Sequence, residues 1–129
     1  MSKKILIVED EASSRKVTYE KFTREGFEVI MAVNGEEGLK TAYAIHPDLI
    51  IMDIIMPVMD GLTMFQKLRE SDGQWGKTVP VVVLTNITIE NKTQMENLTK
   101  LNPECFLVKT ENTLSETVEK VKEILEVVD

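Results

Sequence analysis

One cysteine, one histidine and one tryptophan among 129 residues remove several chemistries at the outset. A lone Cys105 cannot close an intramolecular disulfide and has no partner at metal-ligand spacing, so it reads as a small buried residue. The lone His46, beside Pro47 at a helix end, excludes a paired-histidine metal site and reads as exposed. Trp75 reads as a loop packing residue, and the seven methionines read as core filler. An excess of positive charge is also missing. With 15 Lys and Arg against 22 Asp and Glu the chain carries −7, which argues against nonspecific binding to DNA, RNA or an anionic membrane. No apolar run approaches the length of a membrane span, and Met1-Ser2-Lys3-Lys4 leads straight into a short strand rather than into the apolar region of a signal peptide. The expected compartment is the cytoplasm. Low-complexity segments and interdomain linkers are lacking, so residues 1–129 are expected to form one domain with no room for a second.

What is present is a series of short, unbroken apolar runs. Lys4-Ile5-Leu6-Ile7-Val8, Leu49-Ile50-Ile51-Met52, Val79-Pro80-Val81-Val82-Val83-Leu84 and Cys105-Phe106-Leu107-Val108 lack the alternation of a half-exposed strand and suit strands buried on both faces. Phe27 to Ala32 alternates imperfectly but is rich in strand formers. Helical patterns lie between them. Ala12 to Glu25 places Val17, Thr18 and Phe22 inward and ends at Gly26. Asn34 with Glu37 reads as a cap, followed by Leu39, Ala42, Tyr43 and Ile45 or His46 at helical spacing until Pro47. Leu62, Phe65 and Leu68 mark a short helix, and Ser71 to Lys77 reads as a loop. Thr88 to Leu101 turns Met95, Leu98 and Leu101 to one face and is closed by Asn102-Pro103. The last helix opens on a capping box, Thr113 with Glu116, and repeats Leu114, Val118, Val121, Leu125 and Val128 at three and four. Five strands alternating with five helices in a chain this short predict an α/β fold, a doubly wound three-layer sandwich about a parallel sheet rather than a barrel. The strand order does not follow from the pattern.

The chemistry sits at the strand ends. The Leu49–Met52 run stops on Asp53, the first run stops on Glu9 and Asp10, and the later ones stop on Thr85 and Lys109. In a parallel sheet the carboxyl ends of the strands border a crevice where ligands bind, so these side chains are expected to converge there. Pro57 would fix φ as the chain leaves the Asp53 strand, and Gly61 would let it turn. Three carboxylates in one crevice repel by about 4 kcal/mol per pair at ~4 Å and an effective dielectric near ~20. Lys109 can neutralise one, and the remaining hard oxygens suit Mg²⁺. An Asp that shares a metal with a phosphoryl group can become its covalent acceptor. Thr85 could donate its hydroxyl hydrogen to the new phosphoryl oxygens, and Lys109 could pair with another.

Val8-Glu9-Asp10-Glu11, Asp53 through Gly61, Leu84-Thr85 and Phe106-Leu107-Val108-Lys109, taken together and in order, resemble the motifs of the receiver domain of two-component response regulators. The resemblance implies a flavodoxin-like (βα)5 fold with strand order 2-1-3-4-5. It implies that Asp53 takes a phosphoryl group from a phosphohistidine on a sensor histidine kinase or phosphotransfer protein. Asp10, Asp53 and the backbone carbonyl of Ile55 would bind Mg²⁺, with Glu9 helping directly or through water. Thr85 and Lys109 would grip the phosphoryl oxygens. Movement of Thr85 and Phe106 would reshape the face of the fourth helix, fifth strand and fifth helix toward an unknown downstream protein. The implied molecule is a monomer or weak dimer without an output domain, without direct nucleic-acid or membrane binding, and catalysing only its own phosphorylation and dephosphorylation. It departs from the common pattern at Thr110, where proline often follows the lysine through a cis bond, and at Asn86, where a small residue is usual. Ile55 and Ile87 flank the acceptor with side chains that cannot position water, which predicts slow autodephosphorylation.

Two rivals stand beside this reading. One is a phosphorylation-independent interaction module on the same fold, favoured by Thr110, Asn86 and the apolar flanks. The other is an enzyme. A dehalogenase-type phosphatase would need an acid where Ile55 stands, and a flavodoxin would need a phosphate loop where Glu9-Asp10-Glu11 repels phosphate and no G-x-G-x-x-G follows.

Overall fold

In the computed structural model, residues 2–71, 73–85, 92–101 and 103–127 are described. The elements run β1 (Lys4–Val8), α1 (Ala12–Arg24), β2 (Glu28–Ala32), α2 (Gly35–Ile45), β3 (Leu49–Met52), α3 (Gly61–Arg69), α4 (Gln74–Thr78), β4 (Val81–Thr85), α5 (Lys92–Leu101), β5 (Cys105–Val108) and α6 (Leu114–Leu125). All strand pairs are parallel and the order is β2-β1-β3-β4-β5, the flavodoxin-like arrangement.

The unbroken apolar runs are unbroken because both of their faces are covered. Leu6, Val8, Ile50, Met52, Val81 and Val83 turn to one side, where Ala42, Met64, Phe65, Leu68 and Leu98 of α2, α3 and α5 meet them. Ile5, Ile7, Leu49, Ile51, Val82 and Leu84 turn to the other, against Phe22 of α1 and Val118 and Val121 of α6. An ion pair from Lys122 to Glu25, 2.9 Å, ties the ends of α6 and α1. Both expected caps form: Asn34 accepts from the Glu37 N–H at 2.9 Å, and Thr113 and Glu116 bond reciprocally.

The structure differs from the sequence reading at several points. The expected loop from Ser71 carries a sixth, five-residue helix, α4. It has no apolar periodicity to announce it and is held by tertiary contacts: Trp75 Nε1 donates to the Pro47 carbonyl at 3.1 Å, and Arg69 donates to the Gly76 carbonyl at 3.1 Å. Trp75 is therefore helical, and its ring stacks on His46 at 4.3 Å. Val17 is 55% exposed, because Thr18 and Phe22, one turn apart, already fill the sheet-facing stripe of α1. Tyr43 is likewise exposed, with Gly38 and Ala42 taking the positions against β1. Cys105 is half-buried rather than buried, as β5 lies at the sheet edge. Gly61 does not serve a turn. It opens α3 where the backbone passes so close to Asp53 that a Cβ would sit 2.0 Å from the Asp53 carbonyl oxygen. The positive φ in this connection belongs to Val58, at +68°. Asn86, Ile87, residues 88–91, Asn102 and Val128 lie outside the described residues, as does the Met95 side chain.

Candidate functional site

The sheet order places β1, β3, β4 and β5 side by side, so their carboxyl ends form one edge. Val8 pairs with Met52, which sets Glu9 level with Asp53 on the neighbouring strand. Thr85 pairs with Val108, which puts Lys109 just beyond Thr85. Glu9, Asp10 and Asp53 each offer a carboxylate oxygen within 4.8 Å of the others. Lys109 reaches into this group: its Nζ donates to Glu9 Oε1, to Asp53 Oδ2 at 3.3 Å and to Ser14 Oγ at 3.2 Å. The Ile55 N–H donates to the other Asp53 oxygen, Oδ1, at 3.3 Å. Asp53 is thus oriented by a cation on one oxygen and a backbone donor on the other.

The electrostatics follow from burial. Glu9 is 4% exposed, and burial raises its carboxyl pKa; hydrogen bonds from Lys109 and Ser14 pull the other way without cancelling it. Burial likewise acts to lower the Lys109 pKa, but the bonds to and charges of Glu9 and Asp53 outweigh it and the net direction is up. Three carboxylates face one ammonium, and Glu9 Oε2 is buried without a hydrogen-bond partner. A buried, unpartnered carboxylate oxygen in an anionic cluster is what a hard divalent cation would satisfy, so the donor set fits one.

Thr85 is fully buried at the end of β4. Its backbone carbonyl accepts from the Lys109 N–H at 2.7 Å, which couples the two strand ends. Phe106 is half-buried and packs on the core cluster beneath α2, α3 and α5. The Ile55 side chain points outward, 58% exposed. Asp60 is a helix cap, accepting from the Thr63 N–H at 2.8 Å, and takes no part in the cluster. Among the described residues no peptide bond is cis, so Lys109–Thr110 is trans.

Two contributors were missed by sequence reasoning. Ser14 and Arg15 lie in the first turns of α1, directly after the acidic end of β1. Ser14 contacts Lys109, and Arg15 Nη1 donates to the backbone carbonyls of Glu9 at 2.9 Å and Asp10 at 3.2 Å. The available signal was position: the first turn of a helix that follows an acid-ended strand borders the same crevice.

Residues 5–122 match the family model for the response regulator receiver domain. A probable transcriptional regulator, ycf27 of Pyropia yezoensis, is 45% identical over 83 residues, 64% of this chain and 32% of that protein. The chain spans about a third of the length of the curated relatives it matches. Among solved structures, the chemotaxis response regulator CheY4 of Vibrio cholerae is 30% identical with a TM-score of 0.80, covering 94% of this chain and 99% of that one. The receiver domain of the sensor histidine kinase PA1611 of Pseudomonas aeruginosa, solved with a magnesium ion in its active site cleft, shares the fold at a TM-score of 0.83, 24% identity and coverage of 95% and 97%.

Proposed function

Because this chain belongs to the response regulator receiver domain family, we propose that it is a phosphoacceptor signalling switch, in which Asp53 takes a phosphoryl group from a phosphohistidine of a sensor histidine kinase or phosphotransfer protein. The observation that carries this reading is the Asp53 carboxylate, fixed by Lys109 and the Ile55 N–H at the mouth of the acidic crevice. Glu9, Asp10, Asp53 and the Ile55 carbonyl would hold Mg²⁺ there. When bound, the ion supplies positive charge against the phosphoryl oxygens.

The residues of the chain divide the remaining work. One Asp53 oxygen forms the new O–P bond as the N–P bond of the donor breaks, its electron pair returning to the imidazole nitrogen. Lys109, already on Asp53, is placed to follow the charge onto a phosphoryl oxygen. Thr85, at the end of β4, would supply a hydroxyl donor to another. That shift would change what Phe106 packs against and bias the surface of α5, β5 and α6, the fourth helix, fifth strand and fifth helix of the family pattern, toward a downstream protein. A few kcal/mol of differential binding is enough to move such an equilibrium, on the order of 5 kcal/mol for a near-complete switch.

The proposal extends to a single domain over 1–129, a monomer or weak dimer in the cytoplasm, whose only catalysis is its own phosphorylation and dephosphorylation. The net charge of −7 disfavours direct contact with nucleic acid. No helix among the described residues is long and apolar enough to cross a membrane. The test uses phosphoramidate, a P–N donor that mimics phosphohistidine, with the protein in Mg²⁺ or in EDTA. The expected result is an acyl phosphate, labile to hydroxylamine, only with Mg²⁺. No adduct under either condition would favour a phosphorylation-independent interaction module.

A further inference from the structure

We propose that Ser14 is a positioning residue for phosphoryl transfer, its hydroxyl holding the Lys109 ammonium on Asp53 and out of an adjoining cavity. The inference rests on the phosphoacceptor reading of Asp53 for its consequence and on geometry for its substance.

An ammonium group has three protons and no acceptor of its own. In the structure its three acceptors are Glu9 Oε1, Asp53 Oδ2 and Ser14 Oγ. The contact to Asp53, at 3.3 Å, is longer than that to Ser14, at 3.2 Å, and is the one that matters for transfer. A cavity of about 320 Å³ opens between α1 and the start of α6, and both Ser14 and Lys109 line it, whereas Glu9 and Asp53 do not. Glu11 and Asn112 line it too, and either offers an oxygen to a lysine that turned that way. Ser14 therefore stands at the boundary of two environments that compete for the same ammonium.

The backbone that carries the serine is held on both sides. Thr18 Oγ1 donates to the Ser14 carbonyl at 2.9 Å, and Arg15, next in sequence, is fastened to the β1–α1 connection through the Glu9 and Asp10 carbonyls. A side chain on a helix turn anchored at both ends can define the position of a flexible lysine, which is the order of dependence a positioning role requires.

The test compares the wild type with Ser14→Ala, Ser14→Thr, Lys109→Met and the Ser14→Ala, Lys109→Met double variant, using acetyl phosphate and Mg²⁺. Removing one hydrogen bond to a charged group is expected to slow phosphorylation at saturating donor by about tenfold in Ser14→Ala. The half-saturating donor concentration and the Mg²⁺ affinity should stay within about twofold, because Ser14 touches neither. Ser14→Thr keeps the hydroxyl, the cavity has room for its methyl group, and the rate should return. In the Lys109→Met background Ser14→Ala should change nothing further, since the group it positions is gone. A wild-type rate in Ser14→Ala, no rescue by threonine, or an undiminished loss in the Lys109→Met background would each overturn the proposal. A second readout separates this inference from the function it rests on: the ¹⁵N resonance of the Lys109 ammonium should be protected from exchange in the wild type and lost in Ser14→Ala, phosphorylated or not. If the wild type gains no phosphoryl group while that resonance behaves as expected, the phosphoacceptor reading falls and the tether stands. A resonance that Ser14→Ala leaves unchanged refutes the tether.

Discussion

Replacing Lys109 with methionine keeps most of the unbranched stem and removes the charged ammonium with its three donors, and its effect should depend steeply on pH. The ammonium lies 3.3 Å from Asp53 and closer to Glu9, with side-chain exposures of 18% for Lys109, 12% for Asp53 and 5% for Glu9. At 3.3 Å and an effective dielectric near 20 the gross attraction to Asp53 alone is about 5 kcal/mol. The net loss must be smaller, because a carboxylate left without its partner can take up a proton instead. Protonating a carboxyl of ordinary pKa 4.5 at pH 7 costs about 3 kcal/mol, and that sets the ceiling. At pH 5 the same escape costs under about 1 kcal/mol.

The sign follows from linkage. In the variant, Glu9 has a folded pKa raised still further above its unfolded value, so the folded state binds the proton more tightly. Stability then rises as pH falls through that pKa and is lost above it. In the wild type the Lys109 pKa is raised, so its contribution is fully present below the ordinary 10.5 and does not change between pH 5 and 7. Urea denaturation in EDTA should thus give a destabilisation of about 3 kcal/mol at pH 7 and under about 1 kcal/mol at pH 5. Saturating Mg²⁺ should shrink the loss at pH 7, as the cation binds only the folded cluster. Equal losses at the two pH values, or a loss below about 1 kcal/mol at pH 7, would refute the view that this ammonium compensates the buried acids.

Other perturbations probe the loop that carries the acceptor. Gly61→Ala forces a Cβ to within 2.0 Å of the Asp53 carbonyl oxygen, a backbone atom that cannot rotate away. It should lower stability by about 2–3 kcal/mol in a thermal melt, and an unchanged melt would mean the loop is free to shift. Val58 is 76% exposed at φ +68°, and it is central to a three-residue turn closed by the Met59 N–H on the Pro57 carbonyl at 2.7 Å. Val58→Gly should be neutral or stabilising by up to about 1 kcal/mol, whereas a loss of that size would show the valine to be unstrained. Ile55, outward and apolar beside Asp53, offers no group to position an attacking water, so the phosphorylated protein should persist for minutes or longer. A phosphoryl half-life of seconds in purified protein would sink that idea.

The apolar runs of β1, β3 and β4 were legible because burial on both faces leaves no alternation to misread, and the capping residues Asn34 and Thr113 marked their helices through a local hydrogen bond. Their order in the sheet was not, since periodicity says nothing of which strands are neighbours; it came with the resemblance. The acids at the strand ends were legible for the same reason as the strands: charge that interrupts a buried run stands out. Ser14 did not stand out, because a serine in a helix is ordinary until the fold brings residue 109 beside it. The α4 helix was hidden because Arg69 and the Pro47 carbonyl, both outside it, hold it through Gly76 and Trp75, and of the three residues of α1 expected to face inward only Thr18 and Phe22 are buried, Val17 lying beside their stripe. Gly61 was read as a turn residue when its role is to let two stretches of backbone touch.

The measurement that bears most directly on the central claim is the intact mass of the protein after incubation with acetyl phosphate and Mg²⁺, beside an Asp53→Ala control. The account predicts a gain of one phosphoryl group in the wild type and none in the variant. A wild type that binds Mg²⁺ yet gains nothing, or a variant that gains as much as the wild type, would contradict it.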